Sequence, residues 1–130
     1  MSFGIRRKEV KNAIMEILQD GVPEVSWTKI FKGFQREKGI SGSLVNASIH
    51  FEYDSKNQLV ATAKYSIIIA DPNNLETVDD IADTIFELLD NDDLNGTVTI
   101  GEVKSIGYAA APNKSDAGAA ILIYEVKYYV

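Results

Sequence analysis

The chain has 130 residues, of which 45% are hydrophobic, and a formal net charge of -6. A chain of this length is expected to form one domain, 1–130, that buries about two-thirds of its unfolded surface. The absence of cysteine excludes disulfide frameworks, thiolate nucleophiles and cysteine-ligated metal sites. No stretch approaches the ~20 apolar residues that cross a bilayer, so we expect a cytoplasmic product with no membrane partner. The acidic balance argues against a protein that coats nucleic acid, because phosphate contacts need clustered Lys and Arg.

The charges are unevenly distributed along the chain. Ten of the thirteen basic residues lie at or before Lys64, whereas the ten acids between Tyr65 and Val103 have no Lys or Arg among them. If this division persists in the folded molecule, the protein has one basic and one acidic end. Complementary ends of this kind can attract head to tail.

Two elements and a loop are predicted before the first hairpin. Apolar residues recur at helical spacing over residues 6–20, and Gly21 ends this helix. Residues 24–34 have apolar side chains without a clean period, which indicates an extended stretch or short strand. Residues 32–42 are basic, polar and interrupted by glycine, which is typical of a loop.

A long hairpin follows the loop. Residues 44–53 alternate between apolar and polar side chains and predict a half-exposed strand. Its apolar side comprises Val45, Ala47, Ile49, Phe51 and Tyr53. Residues 54–58 form a polar turn, and residues 59–70 return as the second strand of the hairpin.

Residues 77–90 predict a second helix, with Thr77 as its N-cap. Its buried stripe consists of Val78, Ile81, Ala82, Ile85, Leu88 and Leu89. Its opposite face carries Asp79, Asp83, Glu87 and Asp90, a run of charges typical of a solvated surface. At ~1.5 Å per residue the helix is about 20 Å long, enough to lie across four strands and cover one face of a sheet.

The last part of the chain predicts a second hairpin. Residues 97–108 form a strand whose apolar phase shifts near Gly101, which indicates a bulge there. A loop over residues 109–117 leads into a final strand over residues 118–130. This strand is apolar on both faces, so its second face also needs cover. That second face carries Ile121, Ile123 and Tyr129.

These elements predict an α+β domain with a four- to five-stranded, mainly antiparallel sheet and two helices packed on one face. The helices cover only that face. The apolar side chains on the other face, including Ile68, therefore need cover from loops or from another subunit.

Candidate catalytic residues are few. His50 is the only histidine. A Ser-His-Asp arrangement with Ser48 or Ser66 is conceivable, but no nucleophile elbow accompanies it, and an unreactive histidine on a half-exposed strand is the simpler interpretation. We therefore expect no enzyme activity and no cofactor.

Two charged segments match binding patterns in part. A calcium-loop pattern falls on Asn91, Asp93, Asn95, Gly96 and Glu102. Its first place has Asn where the charge of Asp is needed, and a strand follows where the pattern requires a helix, so a helix end and an Asn-Gly turn explain these residues without metal. A second cluster consists of Arg6, Arg7, Lys8 and Lys11. These cations could bind phosphate, although the helix dipole disfavours positive charge at the start of a helix.

The whole chain resembles the tail terminator, or tail completion, proteins of long-tailed bacteriophages and phage-tail-like particles. The likeness lies in the length and in the order helix, hairpin, helix, hairpin. It also lies in the type of second helix, Val-Asp-Asp-Ile-Ala-Asp-Thr-Ile-Phe-Glu-Leu-Leu at residues 78–89, and in the closing strand at residues 121–129.

This resemblance implies a homohexameric ring that caps the tail tube, ends its polymerisation and joins the tail to the head connector. The implied partners are the tail tube protein, the sheath where the tail has one, and the head connector protein, with DNA only passing through the ring. The protein is then part of a virion or phage-tail-like particle assembled in the cytoplasm of a bacterial host. We expect contacts with the tube or neighbouring subunits at Lys32, Arg36, Lys38, Pro112, Asn113, Lys114, Ile121, Ile123 and Tyr129.

A hypothesis from another class stays open. The acids on the second helix are also suited to a monomeric acidic binding protein, for example an immunity-type inhibitor that covers the basic site of a toxin or nuclease. The oligomeric state distinguishes the two hypotheses, because only the first requires a ring.

Overall fold

The computed structural model describes residues 3–28, 39–71, 75–110 and 118–130, without the side chains of Leu75 and Ala110. The elements in chain order are α1 (Phe3–Gly21), β1 (Val25–Thr28), β2 (Ile40–Tyr53), β3 (Leu59–Asp71), α2 (Leu75–Leu89), β4 (Ile100–Ala110) and β5 (Gly118–Tyr129). The strands form one sheet in the order β1-β2-β3-β5-β4. β1 pairs with β2 in parallel, and the other neighbouring strands pair antiparallel. The predicted α+β fold, with a mainly antiparallel sheet and two helices, is confirmed.

Both helices pack on the same face of the sheet, which we call the helix face. The buried stripe of α2 is the predicted one, with Leu88 only partly buried. α1 buries Val10, Ile14, Met15 and Leu18 in the same cluster. The side chains of the sheet that complete this core come chiefly from the two central strands, β3 and β5, which alternate strictly: Ala61, Ala63, Tyr65, Ile67, Ile69, Ala120, Leu122, Tyr124, Val126 and Tyr128.

The strand β2 departs from the predicted phase. Its register against β3 shifts at Ala47, which is the extra residue of a bulge. Leu44 before the bulge and Ile49 after it both face the helices, whereas Val45 lies on the opposite face. The predicted apolar side, which placed Val45 in phase with Ile49, is therefore wrong, because an inserted residue reverses the alternation in the middle of the strand. β2 also begins at Ile40, so the end of the predicted loop 32–42 is strand.

Both helices begin earlier than predicted. α1 starts at Phe3, whose ring packs edge-on against Phe51 of β2 with ring centroids 5.0 Å apart. α2 starts at Leu75, so Thr77 lies within its first turn and is not the N-cap. Glu76 provides the acid of this first turn, where a negative charge favours the positive end of the helix.

The segment between α2 and β4 forms tight turns, which is why β4 starts at Ile100 and not at residue 97. Asn91, Leu94, Asn95 and Gly96 all have positive φ. The backbone N–H of Leu94 donates to the Asp92 carboxylate at 3.0 Å, and the Leu94 side chain is fully buried. This arrangement anchors the turns to the core.

The predicted bulge near Gly101 is misplaced, because the register shift of β4 against β5 falls at Lys104. Gly101 is needed for another reason. A Cβ at this position would overlap the phenol of Tyr124 and lie 2.5 Å from its Cζ atom. The missing side chain lets the Tyr124 hydroxyl reach the end of α2, where it donates to the Leu89 carbonyl at 3.0 Å.

Candidate functional site

The sheet face opposite the helices, which we call the open face, carries a patch of apolar side chains. This open-face patch consists of Val45, Ile68, Ile121 and Ile123, all half-buried. Ile68 lies directly across from Ile121, so the patch is continuous over the two central strands. No described helix covers this face, which leaves the patch suited to burial against another chain.

Tyr129 is separated from the patch by a row of charges. The Glu125 carboxylate lies between the Lys64 and Lys104 ammonium groups, at 3.9 Å from each, and Lys104 also pairs with Glu102 at 3.3 Å. At ~3.3 Å per residue Tyr129 stands about 20 Å from Ile123 along β5. Its side chain is 48% exposed. The predicted apolar second face of β5 is thus two separate apolar regions with a charged row between them.

A basic groove of about 350 Å³ lies between α1 and β2. Its lining residues are Arg7, Lys8, Lys11, Asn12 and Asn46. Asn46 stands beside Tyr65, because the two residues pair across β2 and β3. Three cationic side chains and two amides at one concave surface provide donors for carboxylate or phosphate oxygens.

Arg6 does not belong to this groove, although it was predicted with its basic neighbours. Its guanidinium Nη2 donates to the Thr97 carbonyl at 3.0 Å, its Nε donates to the Tyr129 carbonyl at 3.4 Å, and its Cζ lies 5.6 Å from the centre of the Tyr128 ring. Arg6 therefore fixes the start of α1 to the end of β5 and to the turn that precedes β4.

The acidic side of α2 divides in a similar way. Asp79, Asp83 and Glu87 are exposed, and we call them the acidic face. Asp90, predicted as the fourth member, is half-buried, and its Oδ1 accepts the backbone N–H of Val103 at 3.0 Å. Asp90 thus holds β4 beside the end of α2, and three carboxylates remain for a partner.

Tyr108 locates the acidic face relative to the sheet. Its hydroxyl donates to the Asp79 carboxylate, and this hydrogen bond raises the pKa of Tyr108. Tyr108 belongs to β4, the strand at one edge of the sheet. The acidic face therefore lies on the β4 side of the molecule.

The residues considered for catalysis do not converge. His50 is exposed on β2 and lies across from Thr62 of β3. Ser66 is four residues further along β3, or about 13 Å at ~3.3 Å per residue. Ser48 is two residues from His50 on the same face, and no elbow between a strand and a helix supports it. The expected absence of enzyme activity stays a prediction.

The calcium pattern is divided between the two faces of the sheet. Gly101 faces the core, so Glu102 points to the open face, where it pairs with Lys104. The turns at residues 91–96 lie on the helix side, because Leu94 is buried in the core. Glu102 thus cannot complete a loop with them. In the part of the chain that the structure describes, no three His, Asp or Glu side chains are grouped so as to hold a metal ion.

The predicted contact residues fall into two groups. Ile121, Ile123 and Tyr129 lie on the open face as expected. The loop residues lie outside the described part of the chain: Lys32, Arg36, Lys38, Pro112, Asn113 and Lys114. Sequence reasoning missed Asn12 and Asn46 in the groove. Within residues 3–28, 39–71, 75–110 and 118–130, no helix has the length and apolarity of a membrane span.

Comparison with known proteins gives a likeness of fold. No protein-family model matches the sequence, and no curated protein matches it. A chain of the solved structure described as "Virion of native gene transfer agent (GTA) particle" matches with a TM-score of 0.67 and 13% sequence identity. The match covers 93% of this chain and 95% of that chain. At this identity the likeness shows that the two chains share a fold, over nearly the full length of both.

Proposed function

We propose that this protein is a structural component of a phage-like particle and acts as its tail terminator. In this role it forms a hexameric ring that caps the tail tube, ends tube polymerisation and provides the surface for the head connector. It is not an enzyme and needs no cofactor. The observation that carries the proposal is the full-length likeness of fold to a chain of a gene transfer agent virion.

The open face supports the same role. A contiguous apolar patch at the surface of a folded chain often marks a contact with another chain, and a symmetric assembly can bury it between subunits. Ile121 and Ile123 contribute the β5 half of the open-face patch, next to Ile68 of β3. In the assembled particle the patch contacts the tail tube or a neighbouring subunit.

Light scattering and electron microscopy of the purified protein test the proposal. Six copies of the 14.3 kDa chain give a mass of about 86 kDa, and the particles should show six-fold rings. The double variant Ile121→Lys, Ile123→Lys introduces two charges into the patch and should abolish rings or tube capping while the chain stays folded. Lys56→Glu, in the exposed turn between β2 and β3, is the control. A protein that stays a single copy at all concentrations and never binds tubes would contradict the proposal.

The acidic face supports one alternative. Asp79, Asp83 and Glu87 project from a helix that has no basic residue, as in a monomeric inhibitor of a basic toxin. Such a protein would be a folded monomer, and Ile121→Lys with Ile123→Lys would leave its binding unchanged. Replacing the acidic face would abolish binding instead.

A further inference from the structure

We infer that the basic groove of one subunit binds the acidic face of α2 in the next copy of the same chain. The inference rests on the proposed ring and identifies its subunit contact. In this contact the cations of the groove, chiefly Arg7 and Lys8, meet the carboxylates of Asp83 and Glu87. The contact lies in the helix layer and leaves the open face for the tail tube.

Two charged side chains on each surface have no ion pair among the described residues. Among the described residues, no acid forms an ion pair with Arg7 or Lys8, although the neighbouring Arg6 pairs with Glu9 at 3.3 Å. No ion pair involves Asp83 or Glu87 in the same part of the chain. Both surfaces therefore present charge that a partner of opposite sign would neutralise.

The acidic face offers two carboxylates at a short and regular spacing. Asp83 and Glu87 are four residues apart on α2, a rise of about 6 Å. Arg7 and Lys8 are adjacent residues of α1, and their two cations can each pair with one of these carboxylates. Phe86, 38% exposed beside these acids, adds an apolar contact of the kind that anchors interfaces.

The two surfaces lie on opposite sides of the subunit. The groove is bounded by Asn46 of β2, towards one edge of the sheet, and the acidic face is tied through Tyr108 to β4, the other edge. A contact between two different surfaces on opposite sides repeats head to tail and closes into a ring if the rotation allows. A two-fold dimer would require one self-complementary surface, which neither of these surfaces is.

Two charge-reversed variants test the pairing. The groove variant carries Arg7→Glu and Lys8→Glu, and the helix variant carries Asp83→Lys and Glu87→Lys. The changes do not oppose the helix dipoles, because the new acids stand near the start of α1 and the new base at residue 87 stands near the end of α2. Circular dichroism checks that each variant is folded, and Lys56→Glu is the control for a change of surface charge elsewhere.

Light scattering should find each reversed variant alone at the mass of one chain, 14.3 kDa. An equal mixture of the two should recover the ring, because alternating subunits place an acidic groove against a basic helix and a basic groove against an acidic helix. Six is an even number, so the alternation closes. Wild-type rings should weaken as salt rises, since the Debye length falls from about 10 Å at 0.1 M to about 3 Å at 1 M.

The outcomes separate this inference from the proposed function. If both reversed variants still form rings of the wild-type mass, the proposed pairing is wrong, but the proposed ring is not contradicted. Variants that stay single copies when mixed would also overturn the pairing, because their surfaces would not be bound to each other. A wild-type chain that forms no ring, in solution or on tubes, would overturn the proposed function and this inference together.

Discussion

Three buried tyrosines on the helix face allow a sharp test of what holds the core together. Tyr65, Tyr124 and Tyr128 are each at most 1% exposed. The Tyr124 hydroxyl donates to the Leu89 carbonyl at 3.0 Å. The hydroxyls of Tyr65 and Tyr128 have no hydrogen-bond partner in the described part of the chain. The substitution Tyr→Phe therefore removes a hydrogen bond at one site and an unpaired polar atom at the other two.

The expected changes in the free energy of unfolding differ in size and sign. Tyr124→Phe removes a buried hydrogen bond, which should cost about 1 kcal/mol. The Leu89 carbonyl keeps one partner, because it also accepts the Asp92 N–H at 3.2 Å. Tyr65→Phe and Tyr128→Phe remove a hydroxyl whose burial is unfavourable, so each should range from neutral to about 1 kcal/mol stabilising. For a domain of this size, 1 kcal/mol shifts the melting temperature by roughly 3–5 °C.

Urea unfolding followed by tryptophan fluorescence measures these differences directly. The three variants should unfold with unchanged dependence on urea concentration, so that the midpoints report stability alone. Tyr124→Phe should be the least stable of the three by at least about 1 kcal/mol. A loss at Tyr65 or Tyr128 equal to the loss at Tyr124 would refute the account of which hydroxyl is paired.

Three further predictions concern the same core. Gly101→Ala should destabilise the fold by about 1–3 kcal/mol, because the new methyl group overlaps Tyr124; a urea midpoint equal to that of the wild type would contradict this. Asp90→Ala should lower the free energy of unfolding by about 1–2 kcal/mol, because it leaves the Val103 N–H unpaired. Asp90→Asn should lower it less, since the amide oxygen can still accept this hydrogen bond. Equal losses in the two variants would contradict the hydrogen bond. Burial raises the pKa values of Tyr65 and Tyr124 in the folded protein. Their contribution to the free energy of unfolding is therefore complete below pH about 10 and falls at higher pH, by roughly 1.4 kcal/mol per pH unit for each tyrosine. A urea midpoint that is constant from about pH 9 to 11 would contradict this.

The parts of the fold that follow a simple period were predictable from the sequence. β3 and β5 have no bulge in their mutual pairing, so their alternation predicts which side chains face the helices over most of both strands. It fails at the strand ends, where Ala70 and Ala119 are buried out of phase and Val130 is exposed. β2 could not be predicted in the same way, because the extra residue Ala47 reverses which side faces the core. The alternation therefore predicts Val45 on the same side as Ile49, whereas in the structure Val45 belongs to the open-face patch.

The surfaces proposed for assembly were only partly predictable. The apolar residues on both faces of the last strand indicate that a second face of the sheet needs cover. The acids at helical spacing indicate which side of α2 is exposed. The basic groove depends on the packing of α1 against β2, which brings Asn46 beside Arg7 although the two are far apart in sequence. Arg6 and Arg7 are adjacent in sequence but point in different directions around α1. Arg6 therefore donates to the Thr97 carbonyl, whereas Arg7 lines the groove.

In the proposed role this protein ends the growth of a phage-like tail tube. Electron microscopy can compare tubes assembled from the tail tube protein of the same particle with and without this protein. Tubes formed with the protein should stop growing and carry a six-fold ring at one end. Tubes that reach the same length with and without it, and that have no ring at either end, would contradict the proposed role.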